Sequence, residues 1–395
     1  MQQKTKKRKN RKKTMKKNKR LHGGFHVLFG ALTTFTAVVA VLGLVFILLY
    51  KTGHARLMRS VEAKAPEAKE LADEKELLTA KEKAKLATVE WQDNWVAIGD
   101  KVYAYDEDCI NLLFLGIDKP GDIQGKTDFS NWESGQTDAV FVVSLNPTKK
   151  VVQIVGIPRN SMVNVDIYDE ENHKIDTVYD QICLQYAFAG GGQAGLDRVK
   201  ESVGDLFYGL PIHGAFAVGY DAVGIVNDMV GGVDVEVLED LQKENPLFTV
   251  GNHVHLDGDL ALSYVRSRNY GQLGSPTLRL KRQKQYITAL IGKTRSKVKE
   301  DPAVVKTMYD AVSRYMNTDV TLEEVVYLAA KAVDYRFDAD SFHLLEGEDH
   351  AVEIPKERLR PGEEAEPFYD DYYLSEDSIK EIMLDVFYQE VEIGE

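Results

Sequence analysis

The chain has 395 residues, of which 44% are hydrophobic, with a formal net charge of -13 and two cysteines. Residues 1–22 hold twelve Lys or Arg and no acid, so the rest of the chain has 37 basic against 62 acidic residues, a net charge of -25. The phosphates of nucleic acid repel so acidic a surface. The composition therefore argues against nucleic acid as a partner of the main body.

An uncharged segment follows the basic arm. Residues 25–50 contain no Asp, Glu, Lys or Arg, and as a helix they would span about 39 Å, enough to cross a hydrocarbon core of roughly 30 Å. A cleaved signal peptide would have a shorter apolar region that ends at small residues, whereas this segment continues through bulky residues to Tyr50. We predict an uncleaved, single-pass signal anchor in the cell membrane. Residues 1–24 should then be cytoplasmic, and the main domain extracellular.

The next segment, residues 51–102, is rich in Ala, Lys, Glu and Leu, a composition typical of helices. It holds too few apolar residues to bury a core, so we predict a helical stalk. We predict that residues 103–346 form a globular domain and that residues 347–395 form an acidic C-terminal extension. Apolar residues recur at helical spacing within residues 375–387, which predicts a helix that docks on the domain.

Three apolar runs in the first part of the domain have the length of strands: residues 110–117, 139–145 and 151–157. Five residues, Asn-Pro-Thr-Lys-Lys, separate the last two runs, which indicates an antiparallel hairpin. Asp138 precedes the first strand of this hairpin and Arg159 follows the second. We therefore expect their side chains to be near neighbours at one edge of the hairpin.

Further elements are predicted along the rest of the domain. Residues 160–180 should be a polar loop. The strands are residues 215–218 and 233–237, and the helices are residues 181–188, 196–207, 221–229, 302–315 and 322–332. Thr321 and Glu324 have the spacing of a capping box for the last of these helices.

A short span of this acidic region concentrates arginines, namely Arg266, Arg268, Arg279 and Arg282. If residues 264–268 are extended, Arg266 and Arg268 point to one face. If the chain is helical from residue 278, Arg279 and Gln283 share a face at spacing i, i+4, with Arg282 beside them. Several guanidinium groups would then converge in the geometry that binds phosphate. The alternative is that these arginines are solvated or paired with the surplus carboxylates.

The two cysteines, Cys109 and Cys183, both lie on the outer side of the membrane in this topology. The sequence is compatible with two states of these cysteines: one disulfide that closes a long loop, or two buried free thiols. Neither cysteine lies in a Cys-His context typical of a catalytic nucleophile.

The residues in this sequence that could carry out chemistry are acids that lie near clustered arginines. Asp118 follows one strand and Asp138 precedes another, and carboxylates at strand ends suit Mg²⁺ or Mn²⁺, which takes one or two carboxylates together with phosphate oxygens. Such an ion and the arginines would neutralise a diphosphate and the charge that develops during displacement. Since no ATP supply exists outside the cell, a membrane-borne donor such as a polyprenyl diphosphate fits the predicted anchor.

Six short segments, taken in order, resemble a known family: LGID, QTDAV, IPRNS, VNDMVGGVDV, ALSYVRSR and RLKRQ. With the basic tail and the single anchor, they are similar to the LytR-CpsA-Psr family of Gram-positive bacteria over residues 110–290. The resemblance implies an α/β fold, an α-β-α sandwich with a central mixed sheet and an apolar pocket for a polyprenyl chain. One departure is Asn160, because the family usually has an acid there.

The resemblance also implies an enzyme, a phosphotransferase that moves teichoic acid, capsule or a similar glycopolymer from a polyprenyl diphosphate carrier to peptidoglycan. By this resemblance the metal-associated acids are Asp118 and Asp138. The matching catalytic residues are Asp138, Arg159, Arg266 and Arg268. The matching diphosphate-binding residues are Arg159, Arg266, Arg268, Arg279 and Gln283, with Arg282 as a further candidate.

In the implied reaction, a muramyl hydroxyl attacks phosphorus and the polyprenyl phosphate leaves. The general base stays open between Asp138 and Asp118. Two other functions also stay open. One is a non-catalytic envelope protein that binds the lipid carrier in a regulatory role, and the other is a polyprenyl diphosphate hydrolase with water as the nucleophile.

Overall fold

The computed structural model describes residues 91–99, 101–124, 135–269, 271–353 and 368–392, together with Thr52 and Pro66. The predicted basic tail and membrane anchor, and most of the predicted stalk, lie outside these ranges. Within the described ranges, no helix has both the length and the apolar character that crossing a membrane requires. The elements below all belong to one compact unit of the chain, Gly53–Glu395.

The described strands are β1 (Trp95–Ile98), β2 (Lys101–Tyr105), β3 (Ile110–Ile117), β4 (Thr137–Asn146), β5 (Val151–Ile157), β6 (Met162–Tyr168), β7 (Lys174–Gln181), β8 (Gly214–Gly219), β9 (Val233–Glu236), β10 (His253–Leu256), β11 (Met316–Thr318), β12 (Phe342–Leu344), β13 (Gly347–Val352), β14 (Tyr369–Leu374) and β15 (Tyr388–Val391). The described α-helices are α1 (Gln185–Phe188), α2 (Gly192–Leu206), α3 (Asp221–Val230), α4 (Gly258–Arg266), α5 (Ser275–Glu300), α6 (Val304–Val312), α7 (Leu322–Ala332) and α8 (Glu376–Phe387). The predicted capping box is present at the start of α7.

A six-stranded sheet, in the order β11-β8-β3-β4-β5-β12, forms the centre of the fold. β3 runs parallel to β8, and β5 parallel to β12, whereas β4 is antiparallel to both of its neighbours. The predicted hairpin of β4 and β5 is confirmed, and so is the mixed central sheet that the resemblance implied. β3 ends, β4 begins and β5 ends at the same end of this sheet, so the residues at these three strand termini are neighbours.

Helices cover both faces of the sheet because successive residues of a strand point to opposite sides. Leu113 and Leu115 of β3 belong to a core that includes residues of α2 and α8. On the other face, Phe141 and Ile154 pack with Leu280 of α5. The helix that contains Arg279 is therefore packed directly on the sheet.

The predicted C-terminal helix docks on the domain as expected, because Met383 and Val386 of α8 are completely buried in the main core. β15 follows this helix and pairs with β2, which in turn pairs with β1. β1 and the start of β2 fall within residues 51–102, so the prediction of a helical stalk is wrong for residues 95–102. β1 and β2, which lie before and after Gly99, form an antiparallel hairpin. β15 pairs with β2 and extends the hairpin into a three-stranded sheet.

Two other segments differ from their prediction. Residues 264–268 are not extended, because α4 continues through Arg266; the side chain of Asp257 caps its start by accepting a hydrogen bond from the amide of Leu260 at 3.0 Å. Residues 160–180 are not a loop but largely the antiparallel hairpin of β6 and β7. Most of the residues of β7 are exposed, so the strand lacks the apolar alternation that reveals a half-buried strand.

Both cysteines are buried, free thiols in the structure. Burial raises the pKa of Cys109 to about 12 and that of Cys183 to about 11. Since the thiolate is the reactive form, we expect neither cysteine to react with iodoacetamide near neutral pH in the folded protein, and both to react after denaturation. Mass spectrometry of the alkylated protein measures this, and a disulfide would instead leave both unlabelled after denaturation without reductant.

Candidate functional site

An apolar pocket lies between the central sheet and helices α3, α4 and α5. It opens at the end of the sheet where β3 ends and β4 begins. Its cavity volume is about 130 Å³. Most of its wall consists of apolar side chains, among them Ile117, Phe141, Val218, Leu262, Val265 and Ile287. The pocket can therefore receive an apolar chain through its mouth.

Small residues keep part of the pocket wall open. Gly116 and Ala139 line the pocket from neighbouring positions of β3 and β4. A Cβ atom on Gly116 would lie only 3.0 Å from the Cβ atom of Ala139. Larger side chains at these two positions would occupy space beside the charged mouth.

Asp138 is the centre of a charged cluster at this mouth. Its carboxylate receives two hydrogen bonds from Arg279, of 3.0 and 3.2 Å, and Nε of Arg159 lies 3.1 Å from Oδ1. Arg159 also donates to Gln136 and, at 3.0 Å, to the sulfur of Cys183. The predicted proximity of Asp138 and Arg159 is confirmed.

Asp118 and Arg266 form a second ion pair on the same rim, with 2.8 Å between Oδ1 and the guanidinium. Both side chains are more than 40% exposed, at 42% and 43%. The guanidinium of Arg266 also lies over the ring of Tyr220, 4.2 Å from its centroid. Arg266 is thus oriented by an aromatic face yet open to solvent and to a ligand.

Gln283 lines the pocket, and Arg268 acts on the charged cluster through its charge. Gln283 lines the pocket one turn after Arg279, as the i, i+4 spacing predicted, and donates to the backbone oxygens of Asp138 and Val265 at 3.4 and 3.3 Å. The charge of Arg268 lowers the pKa of Asp138, which places it close to the same cluster.

Arg282 does not join this cluster. Its side chain is completely buried, pairs with Glu239 at 3.1 Å and donates to the backbone oxygens of Tyr264 and Ser267. It ties α5 to the end of α4 and cannot reach a ligand at the pocket mouth. Its prediction as a diphosphate-binding residue is therefore corrected to a structural role.

The electrostatics of Asp138 bear on its chemistry. Burial by itself raises the pKa of this carboxyl, but the charges of Arg159 and Arg279 outweigh burial and hold the pKa below its ordinary value. Asp138 is therefore ionised at neutral pH and is a weak general base.

The acids of the rim also suit a metal ion. Asp118 and Asp138 are two carboxylates at one pocket mouth, the number that Mg²⁺ commonly takes from a protein when a substrate phosphate supplies further oxygens. Each carboxylate forms an ion pair with an arginine. If a phosphate replaced the carboxylates as the partner of these arginines, the carboxylate oxygens would be available to the ion. The donor set therefore fits Mg²⁺ or Mn²⁺ with a phosphate ligand present.

Sequence reasoning missed three partners of the arginines, namely Gln136, Tyr220 and Glu239. Gln136 was visible within QTDAV, two residues before Asp138, but nothing in the sequence marked it as a partner of Arg159. Tyr220 and Glu239 are 46 and 43 positions from the arginines they contact, so no local spacing could have revealed them.

Two curated relatives align with half of the chain or slightly more. A polyisoprenyl-teichoic acid–peptidoglycan teichoic acid transferase TagV of Bacillus subtilis is 27% identical over 221 residues, 54% of this chain and 50% of the relative. A transferase of the same kind, TagU of Bacillus cereus, is 31% identical over 196 residues, 50% of this chain and 55% of the relative. The matches thus span about half the length of these proteins.

Solved structures share the fold. The crystal structure of B. subtilis TagV matches with a TM-score of 0.51 and 22% identity, covering 71% of this chain and 96% of that one. Protein gbs0355 of Streptococcus agalactiae matches with a TM-score of 0.53 and 17% identity, covering 70% and 87%. The model of the LytR_cpsA_psr family matches residues 66–353, which include the pocket and every predicted site residue. On this evidence the chain belongs to the LytR_cpsA_psr family.

Proposed function

We propose that this protein transfers an anionic glycopolymer, such as teichoic acid or capsule, from a polyprenyl diphosphate carrier to peptidoglycan. The observation that carries the proposal is the pocket, which is apolar along its wall and has a rim of arginines and acids. A ligand that fits both parts has an apolar chain attached to a multiply charged anion. The curated relatives, named as teichoic acid transferases, support the same substrate class.

The arginines of the rim would bind the diphosphate. Arg159 and Arg279 converge on the Asp138 carboxylate, and a phosphate oxygen pair offers the same acceptors with more charge. Arg266, which is partly exposed, would meet the second phosphate from the other side of the mouth. Binding would therefore exchange protein carboxylates for phosphates as partners of the arginines.

The reaction is a displacement at the phosphorus attached to the glycan. A hydroxyl oxygen of peptidoglycan bonds to that phosphorus, the bond to the bridging oxygen breaks, and the polyprenyl phosphate leaves with the bridging oxygen. The hydroxyl proton passes to a base that stays unassigned, because Asp138 is ionised but weak and Asp118 is paired with Arg266. The guanidinium groups stabilise the charge that develops on the phosphate oxygens.

Mg²⁺ or Mn²⁺, held by Asp118 and Asp138, would supply further neutralisation of this charge. The predicted location also belongs to the proposal. A signal anchor at residues 25–50 and a stalk would hold the domain at the outer face of the cell membrane, where both the lipid carrier and peptidoglycan are available.

Replacement of Arg266 by alanine tests the proposal. We expect transfer to fall by about 10²- to 10³-fold without loss of folding, because Arg266 is exposed and its charge serves the diphosphate rather than the fold. The assay follows a labelled polyprenyl diphosphate glycan, with Mg²⁺ and peptidoglycan oligomers, in the purified full-length protein. Arg314→Ala is the matched control, since Arg314 also lies over a tyrosine ring, at 4.6 Å, but outside the pocket.

The products discriminate between the candidate functions. Label on peptidoglycan with wild type and Arg314→Ala, but not with Arg266→Ala, supports transfer. Glycan phosphate released without any acceptor would instead indicate a hydrolase. Donor that is bound but stays intact under every metal condition would indicate a lipid-carrier-binding protein, and normal transfer by Arg266→Ala would refute the assignment of the site.

A further inference from the structure

Two carboxyl groups of the C-terminal region meet at the start of the arginine-bearing helix α5. Asp349 of β13 and Asp370 of β14 are diagonal neighbours on one face of their hairpin, and their carboxyl groups are close enough for each to shift the pKa of the other. Oδ2 of Asp370 accepts from the amide of Gly274 at 2.9 Å, and Asp349 lies 3.5 Å from the hydroxyl of Thr277. We call Asp349 and Asp370 the carboxyl clamp.

The carboxyl clamp supplies what α5 lacks at its own start. Gly274, which precedes the helix, provides no side-chain cap, and its φ of 77° is one that favours glycine. A Cβ atom on Gly274 would also lie 3.1 Å from Oδ2 of Asp349. Because the first amides of a helix attract negative charge, the two carboxyl groups are well placed to fix the beginning of α5.

Asp370 also holds the loop that contains Arg159. Asn160, which follows Arg159 and is 1% exposed, donates through Nδ2 to the backbone oxygen of Asp370 at 2.5 Å. The amide of Tyr372 donates back to the oxygen of Asn160 at 2.9 Å. One strand, β14, is therefore bonded both to the segment that follows Arg159 and to the loop that precedes α5.

Arg268 connects the clamp with the site electrostatically. Its charge lowers the pKa of Asp138 in the site and that of Asp370 in the clamp. Arg268 therefore lies close enough for its charge to act on both carboxyl groups.

We propose that Asp370, supported by Asp349, is a positioning residue for the diphosphate site: it fixes the start of α5, and its charge sets how far Arg268 is available to the donor. The proposal rests on the proposed function for the identity of the ligand. Its structural part, the fixing of the loop before α5, does not depend on that identity. β14 lies beyond residue 353, where the family match ends, so this strand is an addition to the matched region.

Proton binding to the clamp should alter donor affinity. Burial, followed by the negative charge of Asp349, raises the pKa of Asp370 to about 6, although Gly274 and Arg268 oppose the rise. Among the described residues, Lys281 of α5 also faces the clamp, and its charge lowers the pKa of Asp349. Below pH 6 Asp370 is neutral, and the guanidinium of Arg268 is available to the donor. Above pH 6 the carboxylate of Asp370 competes with the diphosphate of the donor for Arg268.

The sign of the stability effect follows from the same shift. Because the folded pKa of Asp370 is raised above the ordinary value of 3.8, its contribution to stability is complete below that value and is lost as pH rises through about 6. A diphosphate diester keeps its charge over this range. A change in affinity near pH 6 would therefore originate in the protein.

Calorimetric titration of the full-length protein in detergent, with farnesyl diphosphate-linked N-acetylglucosamine as the probe, tests the proposal. We expect the Kd of wild type to increase about three- to tenfold as pH rises through the pKa of Asp370, the order expected for one added charge near the ligand. Asp370→Asn, which mimics the neutral form, should bind tightly without this pH dependence. Glu348→Gln removes an exposed charge from the same hairpin and should behave like wild type.

Hydrogen exchange of residues 271–278 measures the position of the loop without any donor. Asp370→Ala removes the acceptor of the Gly274 amide and should speed this exchange, whereas Asp370→Asn should leave it slow. Failure of wild type to bind the probe at every pH would refute the proposed function, and the exchange result would still decide the structural part. A wild-type pH profile in Asp370→Asn, or unchanged exchange in Asp370→Ala, would overturn the inference.

Discussion

Replacing Arg282 by alanine should destabilise the protein by about 3–5 kcal/mol, because it leaves the largely buried carboxylate of Glu239 without its charged partner. The change also removes the donor from the backbone oxygens of Tyr264 and Ser267, at the junction between α4 and α5. Urea denaturation followed by circular dichroism measures the free energy of unfolding.

Lys297→Ala is the control for this substitution, since Lys297 is an exposed residue of the same helix and should change the free energy of unfolding by less than about 0.5 kcal/mol. Arg266→Ala should likewise leave stability nearly unchanged. A stable Arg282→Ala protein that had lost only donor binding would contradict the structural role and restore Arg282 to the diphosphate-binding set.

Replacing Asp138 by asparagine should reduce transfer by about 10²- to 10³-fold, the cost typical of losing one preorganised charged group at a reaction centre. Asparagine has one acceptor oxygen, so it cannot hold Arg159 and both branches of Arg279 in their present geometry, and it cannot serve a metal ion as a carboxylate does. Steady-state transfer kinetics with saturating donor and Mg²⁺ measure the effect.

The pH dependence of stability provides an independent readout for the same variant. The pKa of Asp138 is lowered in the folded protein, so its contribution to stability is complete above the ordinary value of 3.8 and is lost as pH falls through the folded value. Asp138→Asn should lack this loss. Glu201→Gln, which removes a carboxylate held by two hydrogen bonds from Arg198 at the surface, is the control and should keep both activity and the acid response. Unaltered transfer by Asp138→Asn would refute its place in the reaction.

Several parts of the site were predictable because they depend only on local periodicity. The apolar runs of β3, β4 and β5 identified three central strands, and the short connection between β4 and β5 placed Asp138 beside Arg159. The i, i+4 spacing placed Gln283 on the pocket side of α5 with Arg279. Local spacing failed at residues 264–268, where a helix that packs on α5 prevailed over the extended alternative.

The same spacing could not separate Arg279 from Arg282. Both arginines are buried residues of one helix, three positions apart, and the sequence offered both as candidates, with Arg282 the weaker of the two. Their roles differ because their partners come from distant segments: Asp138 from a strand of the central sheet and Glu239 from the loop after β9. Likewise, nothing near Arg268 in the sequence indicated Asp370, about a hundred positions further along the chain.

The sequence by itself determined the central strands β3, β4 and β5, several of the helices, the order of the motifs, the membership of the family, and a set of acids and arginines suited to a diphosphate. Those properties follow from side-chain periodicity and residue chemistry, which act over a few neighbouring positions. Only the tertiary structure decided which arginines face the pocket, which one is a buried structural link, and which distant carboxyl groups hold the start of α5. Ion pairs and pockets form between segments that are remote in the chain, so they are fixed by the packing of the sheet and helices rather than by any local pattern.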